Sequence, residues 1–182
     1  MSSSKKIIYT IGHSTHTFQD FLAMLQNFRI EVLVDIRSYP GSRRFPQFNK
    51  ENLAGRLPEY VISYLHLPSL GGRRKTSSSS KNTAWKNDAF RGYADYMETE
   101  NFTEGIKDLA QIALKTKAAY MCSEALWWRC HRSLVSDYLK ANGWKVMHII
   151  NSRKAEEHHY TEPAKIIGGK LSYGTSQTNI EF

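Results

Sequence analysis

Apolar positions along the chain fall into two interleaved patterns. Short β-prone runs recur at Lys6 to Ile11, Val32 to Val34, Val61 to Leu65, Ala118 to Met121 and Trp144 to Ile150. Between them, apolar residues return at helical spacing: Phe18, Phe21, Leu22, Leu25 and Phe28 after the first run, Leu53 and Leu57 after the second. Two helices, Asp88–Thr99 and Thr103–Thr116, precede the fourth run, and one from about Leu126 to Asn142 follows it. Thr15 or Thr17 is placed to cap the first helix and Asn49 the second, and Gly143 ends the last. Ser38 to Phe48, rich in Pro, Gly and Arg, reads as loop.

Strand–helix alternation predicts a parallel sheet covered on both faces. Right-handed crossovers then favour a three-layer αβα sandwich around a five-stranded, mainly parallel, Rossmann-like sheet, in strand order 3-2-1-4-5. Residues 1–182 read as a single domain. A flexible basic loop is expected near 71–82, and an irregular tail from about 151 with only a short pairing near Lys170–Tyr173.

A hydrophobic fraction of 41% over 182 residues is enough for one proper core. No apolar run approaches the roughly 18 residues of a membrane span, and the N-terminus lacks an apolar signal core, so the chain reads as cytoplasmic. Two cysteines, Cys122 and Cys130, make no disulfide framework. Their spacing to His131 matches no common zinc motif, so no metal is expected. The net charge of +8 favours a polyanionic partner. Its cations cluster in loops: Arg43-Arg44 after Pro40-Gly41-Ser42, and Arg73-Arg74-Lys75 after Gly71-Gly72.

In sheets of this kind ligands bind beyond the carboxyl ends of the strands. Each predicted strand delivers polar residues there: Gly12, His13 and Ser14; Asp35 and Arg37; His66; Cys122 and Glu124; His148. The densest stretch is residues 120–132, which adds Trp127, Trp128, Arg129, His131 and Arg132. Gly12-His13-Ser14 reads as a helix opening whose backbone amides face an anion, with Gly12 allowing close approach of a ligand. Ser14 either donates to a phosphate or caps the helix. No dinucleotide or P-loop fingerprint is present, so neither NAD nor ATP, nor any other cofactor, is expected.

Asp35 and Glu124 are candidates for an acid/base and an electrostatic stabiliser, with His13 beside them, unless Asp35 pairs structurally with Arg37 or Arg132. Cys122 is either an activated nucleophile or an inert core thiol. Trp127 and Trp128 cannot both face inward, so one packs and the other is free to stack on a base or ring.

Thr10-Ile11-Gly12-His13-Ser14, Val34-Asp35-Ile36-Arg37-Ser38-Tyr39-Pro40 and Ser42-Arg43 resemble the opening of the DUF488 family. Tyr64 to Gly72, Met121-Cys122-Ser123-Glu124 and Cys130-His131-Arg132 resemble it too, as does the tail from Thr161 to Ala164 and Gly169 to Tyr173. One departure is His158-His159-Tyr160, where the resemblance implies a His-Pro pair. The resemblance implies a compact α/β domain of uncharacterised function. It favours Gly12, His13, Ser14, Asp35, Arg37, Arg43, His66, Gly71, Gly72, Cys122, Glu124, Cys130, His131 and Arg132.

Charge, aromatics and carboxylates together point to an enzyme acting on nucleic acid, DNA more than RNA, by glycosylase-like hydrolysis of an N-glycosidic bond at a modified or damaged base. Glu124 or Asp35 would activate water or stabilise an oxocarbenium-like sugar. Tyr39 with Trp127 or Trp128 would stack an extruded base, and Arg43, Arg44, Arg73, Arg74 and Lys75 would hold phosphates. The alternatives are a small-molecule enzyme on a nucleotide or other phosphorylated substrate, a non-catalytic DNA- or RNA-binding protein, and, more remotely, a thiol or metal role for Cys122 and Cys130.

Overall fold

Residues 6–175 are described here from a computed structural model of the chain. Its sheet joins β1 (Ile7–Gly12), β2 (Val32–Asp35), β3 (Ser63–His66), β4 (Ala118–Cys122), β5 (Lys145–Asn151) and β6 (Lys154–Glu157) in the order β3-β2-β4-β1-β5-β6. The first five are mutually parallel, and β6 returns antiparallel along β5. The expected αβα class holds. The strand order differs: β4 lies between β2 and β1 instead of beyond β1. Every residue of β4 is buried, as a strand flanked on both edges and covered on both faces requires.

Side-chain alternation assigns the layers. Ile11, Leu33, Ala119 and Met121 pack under α1 (Phe18–Asn27) and α2 (Lys50–Arg56). Ile8, Val32, Val34, Tyr120 and Val146 pack under α3 (Asp88–Tyr96), α4 (Glu100–Lys115) and α5 (Arg132–Ala141). Thr17, not Thr15, caps α1, its Oγ1 accepting from the Asp20 amide. The chain therefore leaves β1 and β2 toward one face and β4 toward the other. That divergence opens a crevice at the carboxyl ends of adjacent strands.

Three segments differ from their sequence reading. The last major helix starts at Arg132, not near Leu126, because Trp127–Arg129 forms a 3₁₀ turn and Trp127 departs to stack on His148. Segment 71–82 carries no regular structure, yet it is tied to α3: the Ser77 amide, Ser80 Oγ and Asn82 Nδ2 all donate to the Asp95 carboxylate. The described part of the tail, to residue 175, is ordered by pairing. Besides β6 it forms the hairpin of β7 (Lys165–Ile167) and β8 (Lys170–Ser172). Its two-residue turn uses Gly168 and Gly169 at φ 57° and 76°, the left-handed pair such a turn demands. No helix among the described residues is long and apolar enough to cross a membrane.

Candidate functional site

The exits of β1 and β4 are zipped together. The His13 amide donates to the Cys122 carbonyl (3.1 Å) and the Ser14 amide to the Ser123 carbonyl (2.9 Å). The predicted anion cradle of Gly12-His13-Ser14 is thus absent: α1 begins only at Phe18, and these two amides already have partners. Gly12 is needed for another approach. A Cβ there would overlap the carbonyl oxygen of Glu124. The loop after β4 is also held by Arg132, whose Nη2 donates to the same carbonyl at 2.6 Å.

Arg37 is built into the β2 exit. It clasps Asp35 through Nε and Nη2 (2.9 and 2.6 Å), and Nη2 also donates to the Phe48 carbonyl (2.7 Å). The Tyr64 hydroxyl donates to the same carboxylate at 2.7 Å. Asp35 is fully buried and lies outside the cavity lining, so the structure uses it as the counter-ion of Arg37 and Glu124 has no open carboxylate partner. His13 stacks on Phe48, its Nδ1–H donating to the Ser14 carbonyl (2.9 Å) and its Nε2 accepting from Arg37 (3.2 Å). Burial, then the Arg37 charge, lowers its pKa from 6.5 to about 4, so it is neutral at pH 7.

Beyond these strand ends lies a cavity of about 600 Å³. From β1 come His13, Ser14 and Thr15; from the β2 exit Arg37, Ser38, Tyr39, Gly41, Ser42 and Phe45; from the segment after β3 Gly72 and Arg73. The β4 exit supplies Cys122, Ser123, Glu124, Ala125, Leu126, Arg129, Cys130 and His131. Glu124 is the only carboxylate-bearing residue of this lining, which it shares with three arginines. Its side chain is exposed, and no hydrogen bond or ion pair to its carboxylate is present among the described residues. His131 donates from Nε2 to the Ile36 carbonyl (3.1 Å). Burial lowers its pKa to about 4. Gly72 lets that ring pack: a Cβ would stand 2.9 Å from His131 Nδ1, while Gly71 abuts Ser38.

Other candidates lie outside. His66 donates from Nε2 to the Arg37 carbonyl (2.8 Å) and supports that backbone. Arg74 is committed inward, donating to the Gly71 and Pro68 carbonyls with its guanidinium 3.7 Å from the Tyr96 ring centroid. Arg132 is 1% exposed and braces the β4 loop without lining the cavity. Arg43 and Arg44 are exposed within segment 37–45 but outside the lining, and Lys75 is exposed farther along the chain. Tyr39, on the lining, is 73% exposed with Arg73 5.7 Å from its ring centroid. Of the tryptophans, Trp127 packs and Trp128 is half exposed, but neither lines the cavity.

The sequence reading gave neither Thr10 nor His158 a role. Arg132 Nη1 donates to Thr10 Oγ1 (2.9 Å), Thr10 to His148 Nδ1 (3.0 Å), His148 Nε2 to His158 Nδ1 (2.9 Å) and His158 Nε2 to Asp137 (2.9 Å). With neutral rings every donor in this chain meets an acceptor. Burial and the neighbouring His158 lower the His148 pKa to about 2. Asp137 also accepts from the Thr161 amide and hydroxyl and the Tyr173 hydroxyl, anchoring the tail. Among the described residues no cluster of three or more His, Cys, Asp or Glu side chains is arranged to hold a metal ion.

Fold and site together define a Rossmann-like αβα domain with a cation-lined cavity at the carboxyl edge of its sheet. The chain belongs to the family described as domain of unknown function DUF488, whose model matches residues 17–139. The span includes Asp35, Arg37, Glu124, Cys130 and Arg132 and leaves out Gly12 to Ser14 and β5 to β8. No curated protein and no solved structure matches the chain.

Proposed function

We propose that the protein is a nucleic-acid-acting hydrolase that cleaves an N-glycosidic bond at a modified or damaged base, with Glu124 as the acid/base residue. The observation that carries this reading is that Glu124 is the one carboxylate-bearing residue of a cavity whose lining also includes Arg37, Arg73 and Arg129. A carboxylate so placed takes a proton from water as it attacks C1′ of the sugar and stabilises the positive charge that develops there. The base leaves with its bonding electron pair and a proton from solvent. Arg73 and Arg129 contact the flanking phosphates, and Tyr39 offers an exposed ring for an extruded base.

A volume of about 600 Å³ suits one nucleotide unit, which also supports a mononucleotide substrate. The exposed Arg43 and Arg44, outside that lining, favour the polymer. The test is cleavage of labelled single- and double-stranded oligonucleotides carrying modified bases, followed by alkali to reveal abasic sites, with Glu124→Gln beside the wild type. Strand breaks that fall about 10²- to 10⁴-fold in the variant support the reading. Salt-sensitive binding without product, unchanged in Glu124→Gln, replaces it with a binding module. Turnover of mononucleotides alone replaces it with a small-molecule enzyme.

A further inference from the structure

The loop after β4 returns Cys130 to the thiol that ends the strand. The Cys122 and Cys130 sulfurs are 2.9 Å apart, both thiols are free, and both line the cavity. The two sulfurs are in direct contact, so one S–H can donate to the other sulfur. Cys122 is 2% exposed and Cys130 9%, so Cys130 is the one more open to a reagent.

Charge decides which sulfur holds the proton. Arg132 is a buried cation, and no ion pair among the described residues involves it. Its nitrogens meet Thr10 Oγ1, the Glu124 and Ala125 carbonyls and, from Nε at 3.4 Å, the Cys130 sulfur. A guanidinium so buried calls for a counter-charge. Cys130 is the only ionisable acid among those partners, so the thiolate belongs on Cys130 with the Cys122 thiol donating to it. Burial accordingly pushes the Cys122 thiol up. Against its own burial, the hydrogen bond from Cys122 and the Arg132 charge hold Cys130 down to about 6.

We propose that Cys122 and Cys130 form a dithiol–disulfide couple on the cavity wall that reduces low-molecular-weight disulfides, with Cys130 as the attacking and Cys122 as the resolving residue. The Cys130 thiolate attacks one sulfur of the substrate RSSR, forming a mixed disulfide and expelling RS⁻. Cys122 passes its proton to a released thiolate and attacks the Cys130 sulfur, forming the Cys122–Cys130 bond and expelling the second RS⁻. The two protein sulfurs lose two electrons, the substrate gains them, and one RSH and one RS⁻ leave. Neither the Glu124 carboxylate nor a nucleic acid takes part, so the couple stands independently of the hydrolase reading.

The native reduced protein is incubated with glutathione disulfide at pH 7, quenched with iodoacetamide and analysed by intact mass and peptide mapping. The expected product lacks two hydrogens and links Cys122 to Cys130. Cys122→Ser accumulates the Cys130–glutathione adduct, and Cys130→Ser reacts at least about tenfold more slowly than Cys122→Ser. If either variant fails to fold, the pH profile of wild-type alkylation still decides: the rate of the first thiol is half-maximal well below the ordinary thiol range. Thiols that react only in denaturant, folded variants that react equally fast, or a profile centred near about 8.5, the ordinary thiol value, each overturn the proposal.

Discussion

Asp35 and Arg37, two residues apart, are joined by two side-chain hydrogen bonds of 2.9 and 2.6 Å and a third from the Arg37 amide (3.0 Å). Arg37 is buried with this carboxylate as its counter-charge. Removing the charge while keeping the shape leaves an uncompensated cation. Asp35→Asn is expected to lose about 3–5 kcal/mol of stability, read as a lower urea midpoint by circular dichroism. A midpoint within error of wild type would show that Arg37 finds its compensation elsewhere.

Stability should fall on mild acidification. His13, His131 and His148 have folded-state pKa values lowered from 6.5 to about 4, 4 and 2. Each is protonated near pH 6.5 in the unfolded chain and stays neutral in the fold, so their contribution is intact above that pH and is lost below it. The His13 and His131 losses level off near pH 4, while that of His148 continues. With three protons taken up on unfolding, the slope at pH 5 approaches about 4 kcal/mol per pH unit. Urea titrations at pH 7, 6 and 5 measure it, and equal midpoints at all three would contradict the neutral-histidine arrangement.

Gly12→Ala places a methyl group against the Glu124 carbonyl. The β4 exit loop must shift, at a cost of about 1–3 kcal/mol. Activity on oligonucleotides is expected to fall by more than the stability change explains, because the displaced loop carries Glu124. Gly55→Ala, on α2 and outside the cavity lining, where a Cβ meets nothing within 4 Å, is the control and should behave as wild type.

Arg43 and Arg44 stand outside the cavity lining, exposed. Replacing both with Ala should leave the thermal midpoint unchanged. If each contacts a phosphate, the slope of log K against log salt for a single-stranded oligonucleotide should drop by about 1.4. The outcome against this role is an unchanged slope.

The elements were legible because periodicity is local. Phe18, Phe21, Leu22 and Leu25 face one layer, and Ala118 to Cys122 is a continuous buried strand, as their spacing implied. The neighbours of β4 were not legible, since strand order follows from how two layers cover the sheet at once. Arg74 read as a free cation because its partners, the Gly71 carbonyl and the Tyr96 ring, are tertiary. Thr10 and His148 bond across 138 residues, and nothing near either in the chain announces it. The Gly168-Gly169 hairpin, by contrast, carried a local signal: two glycines between Lys165-Ile166-Ile167 and Lys170-Leu171-Ser172.

The loop bearing Glu124 is fixed through its main chain, by Arg132 on the carbonyl and by the bare Gly12 backbone beneath it. Nothing in that brace touches the Glu124 carboxylate. The fold thus separates the address of position 124 from its chemistry: an amide, a thiol or an alcohol installed there would be delivered to the same point. Reactivity at that point can be rewritten one side chain at a time, without renegotiating the scaffold that presents it.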